Sequence, residues 1–197
     1  LKNKIAKYHS WAYITSTKNQ NELTSIKGAY NSSLKTLYFK DSVQLKHPNY
    51  TMNSDTLVYQ THKETAYFSG PSKISSKEST IHCNQGWYDT RTEKASFWNN
   101  AIIETSNETL SGDSIHYNRI KGEGKVFGNV VLIDTLKKFN IKGNYAYHNE
   151  ILDSSIVIGN SLLEQFYEKD TLFIIANNLV SLIDSNNLHF LRAFNDV

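Results

Sequence analysis

The sequence predicts an all-β fold, an elongated stack of two-strand units that each take about 29 residues. Tyr30, Tyr59, Tyr88 and Tyr117 follow one another at steps of 29 residues, Tyr147 comes 30 later, and Phe39, Phe68, Phe97 and Val126 keep the 29-residue step. A fixed period of this size marks an array whose units cannot bury an apolar face alone and must share a core. Within each period apolar residues alternate with polar ones, as in a half-buried strand. The composition fits as well: 39% of the 197 residues are hydrophobic, yet 12% are aromatic. Aromatic side chains suit strands and bury a large area each. A thin core with one apolar face per strand therefore needs few other hydrophobic residues.

Taken in chain order, the first alternating segment is Ala6, Tyr8, Ser10, Ala12 and Ile14, offset by 31 residues from Leu37, Phe39, Asp41, Val43 and Leu45. The same places recur as Ala66, Phe68, Gly70, Ser72 and Ile74, and as Ala95, Phe97, Asn99, Ala101 and Ile103. They continue through Val126, Gly128, Val130 and Leu132, then Ser155, Val157, Gly159, Ser161 and Leu163, and end with Leu191, Ala193, Asn195 and Val197. The middle place is always small or turn-prone, which predicts a bend or bulge there. Between these segments run shorter ones up to the tyrosine: Ile26, Gly28, Tyr30; Asp55, Leu57, Tyr59; Asn84, Gly86, Tyr88; Asp113, Ile115, Tyr117; and Gly143, Tyr145, Tyr147. Polar stretches such as 60–64 and 89–93 read as turns, and 177–188, rich in Asn, Ser and Asp, reads as a loop. One repetitive domain over 1–197 is expected. Both ends fall inside a unit, so the expectation is an excised or incomplete segment of a longer array, or a module that pairs end to end through its open strand edges.

Several classes are excluded. Disordered chains lack this aromatic and β-branched content. Cys83 is the single cysteine, so no disulfide framework exists. No run approaches the ~18 apolar residues of a membrane-spanning helix. The formal charge of +2 lacks the basic excess of a nucleic-acid binder, and no nucleic acid is expected as a partner.

The residues form no catalytic constellation. His9, His47, His62, His82, His116, His148 and His189 show no metal-ligand spacing, and no metal or cofactor is expected. His82 and Cys83 are adjacent on a strand and so point to opposite faces, with no third group to orient them. Gly122-Glu123-Gly124 leads into a strand rather than a helix and reads as a hairpin turn. Asp55 and Asp113 hold the same place two units apart. That is roughly 19 Å at ~4.8 Å per strand, too far for the ~5–10 Å of a glycosidase pair. No catalytic residue is assigned.

What remains is an inner apolar column. Leu37, Phe39, Val43 and Leu45 open it, followed by Leu57, Tyr59, Phe68 and Ile74, then Tyr88, Phe97 and Ile103. Ile115, Tyr117, Val126, Val130 and Leu132 complete it. The column is either plain structural core or the wall of a trough for an apolar ligand. At ~0.8 kcal/mol per buried CH₂, several acyl chains would be held without a specific polar contact.

The unit pattern resembles the OstA-like (LptA-type) family of lipopolysaccharide-transport proteins, in particular Bacteroidetes-type OstA-like proteins. The resemblance is carried by Ser54-Asp55-Thr56-Leu57-Val58-Tyr59, Gly70-Pro71-Ser72, Gly86-Trp87-Tyr88-Asp89-Thr90 and Gly112-Asp113-Ser114. Val126-Phe127-Gly128-Asn129-Val130 and Lys169-Asp170-Thr171-Leu172 fit it too, and it extends over 23–176. It implies a periplasmic, twisted β-jellyroll that shields the acyl chains of lipid A, with no catalytic residues. It also implies end-to-end strand pairing with other lipopolysaccharide-transport proteins, bridging inner and outer membrane components; a homo-oligomer is a further expected assembly. On this reading the inner column faces the ligand. A structural or adhesive β-solenoid with a filled core is the alternative, and a β-helical polysaccharide-degrading enzyme a more distant one, because it would need a column of Asp, Lys or Arg on one outer face.

Overall fold

The structure, a computed structural model, describes residues 4–16, 21–149, 151–152, 154–183 and 189–197. Among these there are fifteen β-strands and no helix. They are β1 (Ile5–Tyr8), β2 (Ala12–Ser16), β3 (Asn21–Ser25), β4 (Lys27–Asn31), β5 (Thr36–His47), β6 (Tyr50–Gln60), β7 (Thr65–Ser76) and β8 (Thr80–Asp89). After them come β9 (Lys94–Glu104), β10 (Glu108–Asn118), β11 (Glu123–Asp134), β12 (Phe139–Asn149), β13 (Ser154–Phe166), β14 (Thr171–Ile183) and β15 (His189–Phe194). From β4 to β15 the hydrogen-bonded order is the chain order, in one antiparallel sheet. The chain divides into two compact units, 1–99 and 100–197.

In the first unit β5 pairs with both β3 and β4, so these two are one strand broken at Ile26. β1 and β2 pair with β4 and β3 in the same way, a second broken strand. From β5 onward the strands stay whole but the register slips near their middle: between Lys40 and Val43, Asn53 and Thr56, and Ser69 and Ser72. The slips coincide with the predicted small residues. Asp41, Gly70 and Asn99 all have positive φ there. A bulge sharpens the bend and leaves backbone groups without a ladder partner. Inside the bend the Ser54 and Ser72 hydroxyls meet at 2.8 Å, and each also lies within hydrogen-bond reach of a backbone carbonyl, that of Thr56 or Gly70. At the first bulge Lys27 pairs with Asp41 at 2.6 Å and holds its carboxyl below the ordinary value.

The second unit repeats the pattern. Gly128 with Asn129, Gly159 with Asn160, and Asn195 with Asp196 all have positive φ. At Gly128 a Cβ would run into the Asp113 carboxylate, so any side chain there would have to push that carboxylate aside. Asn129 holds that carboxylate through its side-chain amide at 3.0 Å. One cluster of its core consists of Ile141, Val157, Leu163, Ala176 and Leu179, flanked by Leu132, Phe139, Ala146, Ile174 and Ala193.

Two readings of the sequence are corrected here. The ladder pairs Lys125 with Tyr147 and Gly124 with His148, so His148 takes the place expected for Tyr147. Tyr147 and Tyr145 instead lie on the opposite face, where Tyr145 packs on Phe127 at 5.1 Å. The cause is a longer hairpin: Ile74 pairs with Ile81, seven residues on, but Leu132 pairs with Ile141, nine on, and Leu163 with Ile174, eleven on. Likewise 177–183, expected to be loop, belongs to β14, with Leu179 buried against Val157 and Ala193. Its two asparagines stand at the bend, where Asp113 and Asn144 stand in earlier strands; 184–188 lie outside the described residues.

Candidate functional site

The inner face of the first unit is built of cross-strand rows. Phe39 pairs with Leu57, Leu57 with Phe68, and Phe68 with Gly86. The missing side chain of Gly86 lets the rings of Phe68 and Phe97 approach to 6.2 Å. Towards one strand end runs Leu37–Tyr59–Ala66–Tyr88, and beyond the bend runs Leu45–Met52–Ile74–Ile81. In the second unit Val126, Ala146, Val157, Leu179 and Ala193 form the central row, and Leu110, Leu132, Ile141, Leu163 and Ile174 form the row beyond the bend.

The sixteen residues of the column separate by depth. Phe39, Val43, Leu57, Phe68, Phe97, Ile115, Val126 and Val130 are buried to 4% exposure or less. Leu37, Leu45, Tyr59, Ile74, Tyr88, Ile103, Tyr117 and Leu132 are half-buried. The first group lines the floor of the fold; the second, on rows nearer the strand ends, retains surface.

Tyr50 shows how the two halves of a strand meet. It begins β6, and Tyr59 stands nine residues on in the same strand. If straight, that span would be about 30 Å. Yet the Tyr50 hydroxyl is pushed up to about 12, first by burial and then by the proximity of Tyr88 and Tyr59. The strand is folded at its bulge, and the three tyrosines gather where its ends converge. Tyr50 also stacks on His47, with centroids 4.6 Å apart.

Sequence reasoning missed Tyr50, Met52, Cys83 and Ile81 as parts of this face, because it began the even-numbered strands only after the bend. A signal existed: Met52, Ile81, Leu110, Ile141 and Ile174 recur in step with the units. Cys83 is buried and its thiol is raised to about 11 by that burial, which makes it a poor nucleophile. Glu164 is held below its ordinary value by hydrogen bonds from Asn140 and Lys142. Among the described residues no three His, Cys, Asp or Glu side chains gather as a metal site.

A family model described as OstA-like protein matches residues 2–55 and, a second time, 51–113. No curated protein matches the chain. Among solved structures, the crystal structure of LptH, the LptA-homologous periplasmic component of the conserved lipopolysaccharide transport device from Pseudomonas aeruginosa, is similar to 88% of this chain over 96% of its own, at 8% identity and a TM-score of 0.26.

Proposed function

The chain belongs to the OstA-like protein family, whose model covers more than half of it, and from that membership we propose a non-enzymatic module of lipopolysaccharide transport that works in the periplasm. Its inner face shields the acyl chains of lipid A, and its open strand edges pair end to end with other transport components. The observation that carries the ligand reading is the graded inner face. A closed floor of Phe39, Leu57, Phe68 and Phe97 is flanked by half-buried Leu37, Tyr59, Tyr88 and Ile74. Acyl chains engage the flanking rows first and reach the floor as the folded halves part. Each CH₂ withdrawn from water contributes ~0.8 kcal/mol, so an acyl chain needs no polar anchor.

Site-specific photo-crosslinkers test this in cells. Placed at Tyr59 and Ile74 they are expected to capture lipid A, whereas at Lys40 and Lys46, on the outer face, they capture none. Adducts only at the lysines, or none at any position, overturn the proposal. A second reading, a structural solenoid, draws support from the same floor, since its residues are already covered by their own neighbours. It expects no lipid adduct at all.

A further inference from the structure

The outer face of the first unit carries a polar row that nothing in the lipid reading uses. Tyr13 pairs with Thr24, Thr24 with Gln44, Gln44 with Asn53, Asn53 with Lys73 and Lys73 with His82. These residues share the face opposite to Leu45, Met52 and Ile74. From Thr24 to His82 the row crosses four strand spacings, roughly 19 Å at ~4.8 Å each. It borders a depression of about 630 Å³ at the bend, lined among others by Trp11, Gln44, Asn53, Asp55, Lys73 and His82. Trp11 is 65% exposed, and Tyr13 beside it is similarly open.

We propose that this depression is a binding site for a short oligosaccharide chain. A flat exposed indole is apolar on its face and polar at one edge, which suits the C–H face of a sugar ring. Amide and carboxylate side chains present paired donors and acceptors to neighbouring hydroxyls. Gln44 donates its amide N–H to the Asn53 carbonyl at 3.3 Å, which aligns the pair and leaves the Gln44 carbonyl and the Asn53 amide group uncommitted to that bond. Lys73 and Asp55 bring opposite charges to the same depression. The site therefore lacks the basic excess that a nucleic acid requires. An extended peptide would add to a sheet edge, whereas these residues stand on a face whose backbone is already paired on both sides.

The fold does not require polarity there. In the second unit the equivalent row reads Ser111, Val131, Lys142, Leu162 and Ile175, three of its five places being apolar. The polar run is a property of the first unit's sequence.

The inference is independent of the acyl-chain reading, and its test uses lipid-free ligands. Tetrasaccharides of glucose, mannose, galactose and N-acetylglucosamine are titrated at millimolar concentration into the isotope-labelled full chain. The chain has three tryptophans, so its indole N–H signals are easily separated. At least one tetrasaccharide should shift the Trp11 indole and the Gln44 and Asn53 side-chain amides, leaving Trp87 and Trp98 in place. Trp11→Ala and Asn53→Ala, both at exposed positions, should each weaken that binding by about tenfold, while Ile175→Ala leaves it unchanged. Silence from all four sugars overturns the proposal. So does undiminished binding in both variants, or a Trp11 shift produced by an unrelated peptide or DNA oligonucleotide instead of sugar.

Discussion

Gly86 faces Phe68 across the β7–β8 ladder, and a Cβ there would strike the Phe68 ring and come within 2.8 Å of the Ser96 carbonyl oxygen. A carbonyl on a paired strand cannot retreat, and the ring is packed against Phe97. Overpacking of this kind costs typically ~1–3 kcal/mol. Gly124 offers the contrast: a Cβ at that position meets nothing within 4 Å. Gly86→Ala should therefore lower the urea midpoint by an amount equivalent to about 2 kcal/mol, with an unchanged slope. Gly124→Ala should leave it in place or raise it by up to ~1 kcal/mol, through a less flexible unfolded chain. Equal losses in both variants would mean that the aromatic row does not depend on the gap at Gly86. The sequence alone places Gly86 in a strand and reads Gly124 as part of a hairpin turn, but nothing in it shows that a ring fills the space beside Gly86 and that the space beside Gly124 is empty.

From β4–β5 to β12–β13 the hairpins at one end of the strands keep a constant length, and their side chains explain why. Asn31, Asp89, Asn118 and Asn149 each accept backbone N–H groups from the turn that follows. Neighbouring turns are also clipped together. Thr61 donates both its backbone N–H and its hydroxyl to the Lys35 carbonyl, and Thr90 does the same to that of Glu64. Each such bond stabilises by about 1 kcal/mol net. Asp89→Ala removes the acceptor for Arg91 and Thr92 and should cost about 1–2 kcal/mol. Amide exchange should quicken at Arg91, Thr92 and the clipped Thr90, while β5 and β6 stay protected. Uniform exchange along the chain would refute a local role for the turn. The bulges were legible for a related reason, since Asp41, Gly70, Asn99, Gly128 and Gly159 belong to the residue types that tolerate positive φ. The strand halves before the bend were not, because Asn53 and Ser54 in β6, or Ser111 and Gly112 in β10, are residues that also favour turns. Asn177 and Asn178 misled in the same way: their place in a strand is set by the burial of Leu179 and Ala176 on either side.

Across the whole chain, 39% hydrophobic residues suffice because each strand covers one thin interior, but the units spend their apolar residues differently. The first unit concentrates aromatic rings on its inner face. The second fills its interior with smaller aliphatics and also leaves Phe173 and Ile175 exposed at 59% and 65% on β14. The period revealed the inner rows; it could not reveal this difference, since outer positions repeat in place without repeating in chemistry. Burial inside the first unit sets the alkaline limit of its stability. Tyr50 is raised from 10.0 to about 12 and Cys83 from 9.0 to about 11, both first by desolvation of the charged form. The unfolded chain releases these protons at lower pH than the folded one, so the free energy of folding becomes less favourable as they ionise. The contribution of Cys83 is intact below pH 9 and is lost as pH rises towards 11; that of Tyr50 is intact below pH 10 and is lost towards 12. Melting temperature should accordingly be flat at neutral pH and fall in two overlapping steps above pH 9. Cys83→Ser should remove the earlier step and Tyr50→Phe the later one. Tyrosinate absorbance supplies the independent reading: the Tyr50 phenol should ionise late in the native chain, and that delay should vanish in urea. If both variants retain the full alkaline decline, the loss arises from general charge repulsion and not from these two buried groups.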